Sequence, residues 1–303
     1  MSRRFSIPLL PRDTPLITER VTLGEKLFHD KSLSKNGTIS CASCHHQDKA
    51  FTDGLTLSKG INEQSGDRNS MPLFNLAWKS SFFWDGRAKS LRDQVLQPIE
   101  DHLEMASDLR TVVATLEKSS RPQFDKAFGP GPVTEEKITL ALENFLLTLT
   151  SYNSKFDQAM SGKAELTSSE KRGMELFFTE YKPRSNQYGA DCFHCHGGAN
   201  FSDHQFHDNG LGGKFSTPSL RNLVLTGPYM HDGRFKTLEE VIAHYSGSIE
   251  RTSTLDPNLA KHPKLGLQLS NEDQAALIAF LKTLTDPKYH DSGIPKKVTH
   301  PAN

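Results

Sequence analysis

Four cysteines in two matching pairs carry the chemistry open to this sequence. They stand in Cys41-Ala42-Ser43-Cys44-His45 and Cys192-Phe193-His194-Cys195-His196, and the 303 residues contain no other cysteine. Two thiols three positions apart on one turn reach the two vinyl groups of a single porphyrin, and the adjacent histidine meets the iron. This is the pattern of covalent c-type haem attachment, present twice. A zinc site wants a set of four Cys or His ligands, and a redox CxxC does not need the following histidine. The spacing therefore predicts two c-type haems, one on Cys41 and Cys44 with His45 as iron ligand, the other on Cys192 and Cys195 with His196. In bacteria such attachment happens on the outer side of the inner membrane, so the expected compartment is the periplasm. No thiol remains for a disulfide.

The elements that must position these motifs are themselves repeated, in the same order. Gly24-Glu25-Lys26-Leu27-Phe28 precedes the first motif as Gly173-Met174-Glu175-Leu176-Phe177 precedes the second, each reading as a helix. After the motifs come Asn75-Leu76 and Trp84-Asp85-Gly86-Arg87, matched by Asn222-Leu223 and His231-Asp232-Gly233-Arg234. Helix caps follow, Ser90 with Asp93 and Thr237 with Glu240. Last, Phe145-Leu146-Leu147-Thr148-Leu149-Thr150 mirrors Phe280-Leu281-Lys282-Thr283-Leu284-Thr285, each closing a helix with apolar residues at three- and four-residue spacing. Strand-like alternation is scarce. The expected fold is mainly α, with two cytochrome c-like domains, residues 1–160 and 161–303, divided at the polar Met160-Ser161-Gly162-Lys163 before a new cap at Thr167 and Glu170.

Composition bounds the partners. The 36 basic and 36 acidic residues cancel, so no global field draws the chain to nucleic acid or an anionic membrane. No apolar run approaches the roughly 20 residues that span a bilayer. The start, Met1-Ser2-Arg3-Arg4, lacks the apolar stretch of a secretory signal and reads as a trimmed mature chain.

Positions where the halves diverge are where the two haems take different tasks. Aligned from the shared Asp-Gly-Arg, Tyr245 falls opposite Pro98. Tyrosine binds iron and proline does not, so His196 and Tyr245 would close the second haem while the first keeps His45 and an open face. Tyr245 also reads as a core tyrosine on a helix with Val241 and His244, and Met230 and His244 are rival ligands by chemistry.

Taken together, the paired CxxCH motifs, Ala50-Phe51-Thr52-Asp53-Gly54, Arg68-Asn69-Ser70, Phe83-Trp84-Asp85-Gly86-Arg87-Ala88 and Tyr229-Met230-His231-Asp232-Gly233 resemble the bacterial di-haem cytochrome c peroxidase and MauG family over nearly the whole chain. In the peroxidases of that family a histidine before the Arg-Asn-Ser segment closes the first haem in the resting oxidised state, and a methionine closes the second. This chain has no histidine between His46 and His102 and carries Tyr245 at the methionine's place. Both departures are similar to MauG and its relatives, including the methanobactin-associated tryptophan-oxidising branch. The resemblance implies that Glu104 is the acid-base carboxylate at the open haem, that Gln94 and Pro98 line the same pocket, and that Trp84 lies between the haems. It also implies a calcium site made by Asn69 and the carbonyls of Thr226 and Pro228, oxygen ligands that suit a hard cation. His29, His204, His207, His262, His290 and His300 read as ordinary histidines.

The function implied is a hydrogen-peroxide-dependent di-haem oxidoreductase. It would store two oxidising equivalents as high-valent haem iron and oxidise a side chain, tryptophan by resemblance, of a periplasmic partner protein by long-range electron transfer. The alternative is a peroxidase that reduces hydrogen peroxide to water with electrons from a small cytochrome c or cupredoxin. A non-enzymatic electron carrier would need both haems six-coordinate.

Overall fold

Each half is organised by two helices that touch backbone to backbone, an approach only glycine permits. The computed structural model describes residues 15–262, 264 and 266–290, together with Phe5, Ser6, Pro8 and Leu10. His300 lies outside the described residues, as does the side chain of His290. The chain divides into two compact units. One comprises Arg87–Thr150 with the chain up to Phe83, and the other Ser151–His290 with Trp84–Gly86 and the initial Phe5 and Ser6.

The first unit contains α1 (Thr18–Phe28), the single turn α2 (Cys41–Cys44), α3 (Leu91–Glu100), α4 (Leu109–Ser119), α5 (Arg121–Phe128) and α6 (Glu135–Leu147). The second contains α7 (Lys155–Met160), α8 (Ser168–Phe178), α9 (Leu238–Gly247), α10 (Pro257–Ala260), α11 (Asn271–Lys282) and α12 (Pro287–His290). Among the described residues, strand is confined to two short antiparallel pairs in the second unit: β1 (Tyr181–Lys182) with β2 (Gln187–Tyr188), and β3 (Phe206–His207) with β4 (Phe215–Ser216). The predicted mainly α architecture of two cytochrome c-like domains is the one observed.

The caps read from sequence form. Ser90 Oγ accepts the Asp93 amide at the start of α3, and Thr237 and Glu240 make a reciprocal capping box on α9, as Thr167 and Glu170 do on α8. Such caps satisfy amides that a helix start leaves unpaired.

The helix crossings repeat closely. A Cβ added to Gly24 on α1 would stand 1.9 Å from the Ala141 carbonyl oxygen and 2.8 Å from Phe145 Cβ on α6. On α8, a Cβ at Gly173 would meet Ala276 and Phe280 of α11 at the same 1.9 and 2.8 Å. Beside each crossing the aromatic pair is repeated too, Phe28 to Phe145 and Phe177 to Phe280, both with ring centroids 5.2 Å apart. Asn75 and Asn222 take left-handed backbone at φ 56° and 59° and donate their amides to Leu149 and Leu284 carbonyls, at 2.8 and 3.1 Å. Asparagine tolerates that conformation better than most residues, which accounts for its presence in both copies.

The second unit adds a buried ion pair. Arg221, 1 % exposed, makes a fork of two hydrogen bonds to Asp157, at 2.7 and 2.9 Å, and donates from Nε to the Ala199 carbonyl. Burial opposes ionisation of Asp157, yet the guanidinium and Ser154 hold its pKa below the usual carboxylate value.

Two outcomes are expected. Gly24→Ala should lower stability by about 1–3 kcal/mol through overpacking, read as a lower denaturation midpoint in urea. Asp157→Asn strands a buried guanidinium and should destabilise by about 3–5 kcal/mol. Because the folded pKa of Asp157 is depressed, its contribution is present above the unfolded carboxylate value and disappears as pH falls through the folded one. Acid unfolding curves of the Asn variant should lack that component.

Candidate haem sites

In the first unit, α2 places Cys41 and Cys44 one helical turn apart. Ser40 and Ser43 cap the turn reciprocally, with the Ser40 amide donating to Ser43 Oγ at 3.0 Å. His45, next in sequence, donates from Nδ1 to the Phe51 carbonyl at 2.8 Å. A carbonyl only accepts, so Nδ1 carries the proton and Nε2 keeps a lone pair for iron, as in other metal-bound histidines. Burial, the largest influence, lowers the His45 pKa and keeps the ring neutral. Ser70, from Arg68-Asn69-Ser70, donates to the Cys44 carbonyl at 2.9 Å and ties that segment to the attachment turn.

The second site repeats the device. Cys192 and Cys195 flank a 3-10 turn, and His196 Nδ1 donates to the Phe201 carbonyl at 3.1 Å. Burial drives the His196 pKa down to about 4. Phe51 and Phe201 both take left-handed backbone, φ 64° and 51°, which turns their carbonyls to the histidines.

The donor set fits c-type haem. Burial pushes all four thiols up to about 12. Such surroundings disfavour the thiolate that zinc requires and accept a neutral thioether. Each site also offers one neutral imidazole with a free Nε2.

Around the first site, Glu104 stands in the loop after α3 and is half-buried. Burial first, and then Asp101, push its carboxyl pKa up to about 7 against the pull of Arg87. The carboxylate in turn raises the Cys41 and Cys44 thiols, which places it within electrostatic reach of them. The loop is pinned on both sides. The Glu104 amide donates to the Asp101 carbonyl and the Glu104 carbonyl accepts the Ile61 amide at 2.8 Å, while a Cβ on Gly60 would fall 1.8 Å from the Leu103 oxygen. Gln94 and Pro98 are half-buried on α3, and the Pro98 carbonyl accepts the Met105 amide at 3.1 Å. The side chain of His102 is 85 % exposed.

Around the second site, Tyr245 lies on α9 with its phenol accepting from Asn209 Nδ2 at 3.2 Å. Burial raises its pKa to about 12, Asn209 opposes that, and Cys195 and Cys192 add to it, so the hydroxyl sits near the haem-attaching thiols. The rival ligands meet at the same asparagine. Met230 Sδ is 3.4 Å from Asn209 Nδ2, and His244 Nε2 donates to the Asn209 carbonyl at 2.9 Å. His207 is clamped between Asp256 at 2.6 Å and Asp203 at 2.8 Å, next to Cys195.

Trp84, 8 % exposed, belongs to the second unit, where its carbonyl accepts the Ser216 amide at 2.8 Å. Asn69 lies in the first unit and donates to the Leu55 carbonyl at 2.9 Å, whereas Thr226 and Pro228 lie in the second.

Residues 18–165 match the family described as di-haem cytochrome c peroxidase, and residues 171–285 match cytochrome c. The methylamine utilization protein MauG of Methylophilus methylotrophus is 37 % identical, over 93 % of this chain and 87 % of its own. The chain belongs to the di-haem cytochrome c peroxidase and MauG family. The cytochrome c551 peroxidase of Nitrosomonas europaea is 34 % identical, over 90 % of this chain and 81 % of its own. A solved MauG-like protein associated with microbial copper homeostasis is 33 % identical, covers 97 % of each chain and superposes with a TM-score of 0.85. As a member of the family, the protein is a di-haem peroxidase-type oxidoreductase with two c-type haems.

The sequence reading missed four groups that build the site. The carbonyls of Phe51 and Phe201 come from a further repeat, Phe51-Thr52-Asp53 against Phe201-Ser202-Asp203, hidden because the second copy sits one residue closer to its histidine. Ser70 was legible only as part of a motif. Asn209 carried no signal, having no counterpart in the repeated blocks.

Proposed function

We propose that this chain is a MauG-like enzyme that uses hydrogen peroxide to oxidise a side chain, tryptophan by preference, on a periplasmic partner protein. The observation that carries the reading is the contrast at one helix position, Pro98 on α3 against Tyr245 on α9 with its phenol held beside Cys192 and Cys195. Proline leaves the N-terminal haem domain (1–160) open to peroxide, and tyrosine closes the C-terminal one (161–303). When bound, the haems supply the iron that takes peroxide and the store for its two oxidising equivalents.

Glu104 takes the proton from the inner oxygen of bound peroxide and returns it to the outer oxygen, so that water departs. Its pKa of about 7 suits both halves of that transfer near neutral pH. Gln94 and Pro98 line the peroxide side, and Trp84 relays the second equivalent. Tyr245 would hold the second iron through its phenol oxygen. A phenolate favours the oxidised metal, so it makes a poor acceptor of donor electrons and a good keeper of oxidising power. Covalent haem attachment supports the periplasm, and among the described residues no helix is long and apolar enough to cross a membrane. Tryptophan as target rests on the resemblance carried by the motifs, and the likeness to the MauG-like structure supports the MauG-type reading. Similarity to the Nitrosomonas peroxidase favours a second reading, peroxide reduction with electrons from a small cytochrome or cupredoxin.

Adding peroxide to the oxidised holoprotein separates the two: a long-lived near-infrared signal of the two-haem oxidised state is expected, and rapid peroxide-dependent oxidation of a reduced donor without that signal would establish the peroxidase. Glu104→Gln should slow reaction with peroxide by about 10²–10⁴ with both haems retained. The parent rate should rise with pH through about 7 as the carboxylate forms, and the Gln variant should lose that inflection in stopped-flow measurements. Tyr245→Met should raise the second haem's midpoint potential, within the roughly 0.8 V over which axial ligands act, measured by spectroelectrochemistry.

A further inference from the structure

Two ligand chemistries compete for the second iron, and one side chain touches both. Asn209 Nδ2 lies 3.2 Å from Tyr245 Oη and 3.4 Å from Met230 Sδ. An amide nitrogen has two hydrogens, so it serves both acceptors at once. The effect on them differs. A phenol oxygen that accepts one hydrogen bond retains lone-pair density for a metal, whereas a thioether is a weak acceptor and a neutral, weaker ligand that the same contact holds against the amide. The backbone carbonyl of the same residue takes His244 Nε2 at 2.9 Å, which occupies the third rival.

Asn209 is held in place from below. Asp208 is fully buried and accepts from Thr252 and Thr254 hydroxyls, both at 2.7 Å, and from the Gly210 amide at 2.8 Å. The Asp208 carbonyl takes the Asp256 amide at 3.0 Å. Gly210 follows at φ 78°, where a Cβ would come 2.6 Å from Ile249 Cγ2. Met230 is fixed as well, in left-handed backbone at φ 76° in the turn closed by the Tyr229 amide on the Phe235 carbonyl. The first half has Phe83 at the position of Met230 and Pro98 at that of Tyr245, so the competition exists only at the second haem.

We propose that Asn209 is a positioning residue that selects the phenol oxygen of Tyr245 over the sulfur of Met230 as sixth ligand of the second haem. The proposal rests on Tyr245 being that ligand, as argued above. Its consequence is that the redox character of the second haem is set by an asparagine that does not bind iron.

The test uses the holoprotein, with Asn209→Ala, Asn209→Asp, Asn209→Ala combined with Met230→Leu, and Tyr245→Phe alone. Haem content is measured first, then the second haem's midpoint potential and the far-red sulfur-to-iron charge-transfer band of methionine-ligated ferric haem. Asn209→Ala should introduce that band and shift the one-electron equilibrium at least tenfold towards the reduced state, which corresponds to about 59 mV. Adding Met230→Leu should abolish the band. Asn209→Asp removes the donor at nearly constant size and should behave as Asn209→Ala does, which covers failure of the alanine variant to load haem. An unchanged spectrum and potential in the Asn209 variants, or a shifted potential without the sulfur band, overturns the selection. If Tyr245→Phe leaves the second haem's spectrum as in the parent, the Tyr245 reading itself falls and the selection with it. A change in Tyr245→Phe without one in the Asn209 variants removes the selection alone.

Discussion

A hydrogen bond from imidazole Nδ1 to a phenylalanine carbonyl sets the state of the histidine that follows each cysteine pair, and much of each half is arranged to present that carbonyl. His45 on Phe51 and His196 on Phe201 have the same tautomer, and both are stripped of charge by burial. The phenylalanine pays no heed to ligand chemistry itself. Its ring packs on the aromatic residue of the glycine-bearing helix, Phe28 in one case and Phe177 in the other, with centroids 6.1 and 5.8 Å apart. Packing of the core and orientation of the neighbouring imidazole are thereby fixed by one residue, whose side chain does the first and whose backbone does the second.

On that shared frame, difference in function comes from a few side chains mounted at equivalent points. Helices α3 and α9 have the same cap position and length, yet one presents a ring that cannot ligate and the other a phenol. The loop after α3 brings a half-buried carboxyl near the first pair of thiols, and the loop before the second Asp-Gly-Arg turn brings an amide to the phenol. Duplication supplied two equal pockets, and substitution at the periphery of each made them unequal. The family membership and the fold follow from the shared part. The proposed division of labour between peroxide chemistry and storage of oxidising power rests on the unshared part.

How much was legible in the sequence follows the same line. Haem attachment could be read because covalent chemistry imposes a fixed spacing, and helices because caps and apolar periodicity are local signals, as at Thr237 and Glu240. Glycine at 24 and 173 was visible as a repeat, but its reason, a carbonyl 1.9 Å from an absent Cβ, needs both helices in place. Arg221 with Asp157, and His207 with Asp203 and Asp256, pair residues up to 64 positions apart with no periodicity to announce them. Asn209 was invisible for a related reason, since its partners at 230, 244 and 245 come together only when a loop pinned through Asp208 closes on α9.

The near-identity of the two glycine crossings carries a hazard for the nascent chain. Helix α1 presents to a partner the same notch as α8, and α6 the same alanine carbonyl and phenylalanine as α11, so α1 and α11 carry the elements of a mismatched pairing. Order of synthesis resolves the ambiguity, because chains assemble N-terminal domain first and α6 is complete before α11 exists. A circular permutation that put the second half first would reverse which notch is filled early, and the order of synthesis would still pair α8 with α11 before α6 exists.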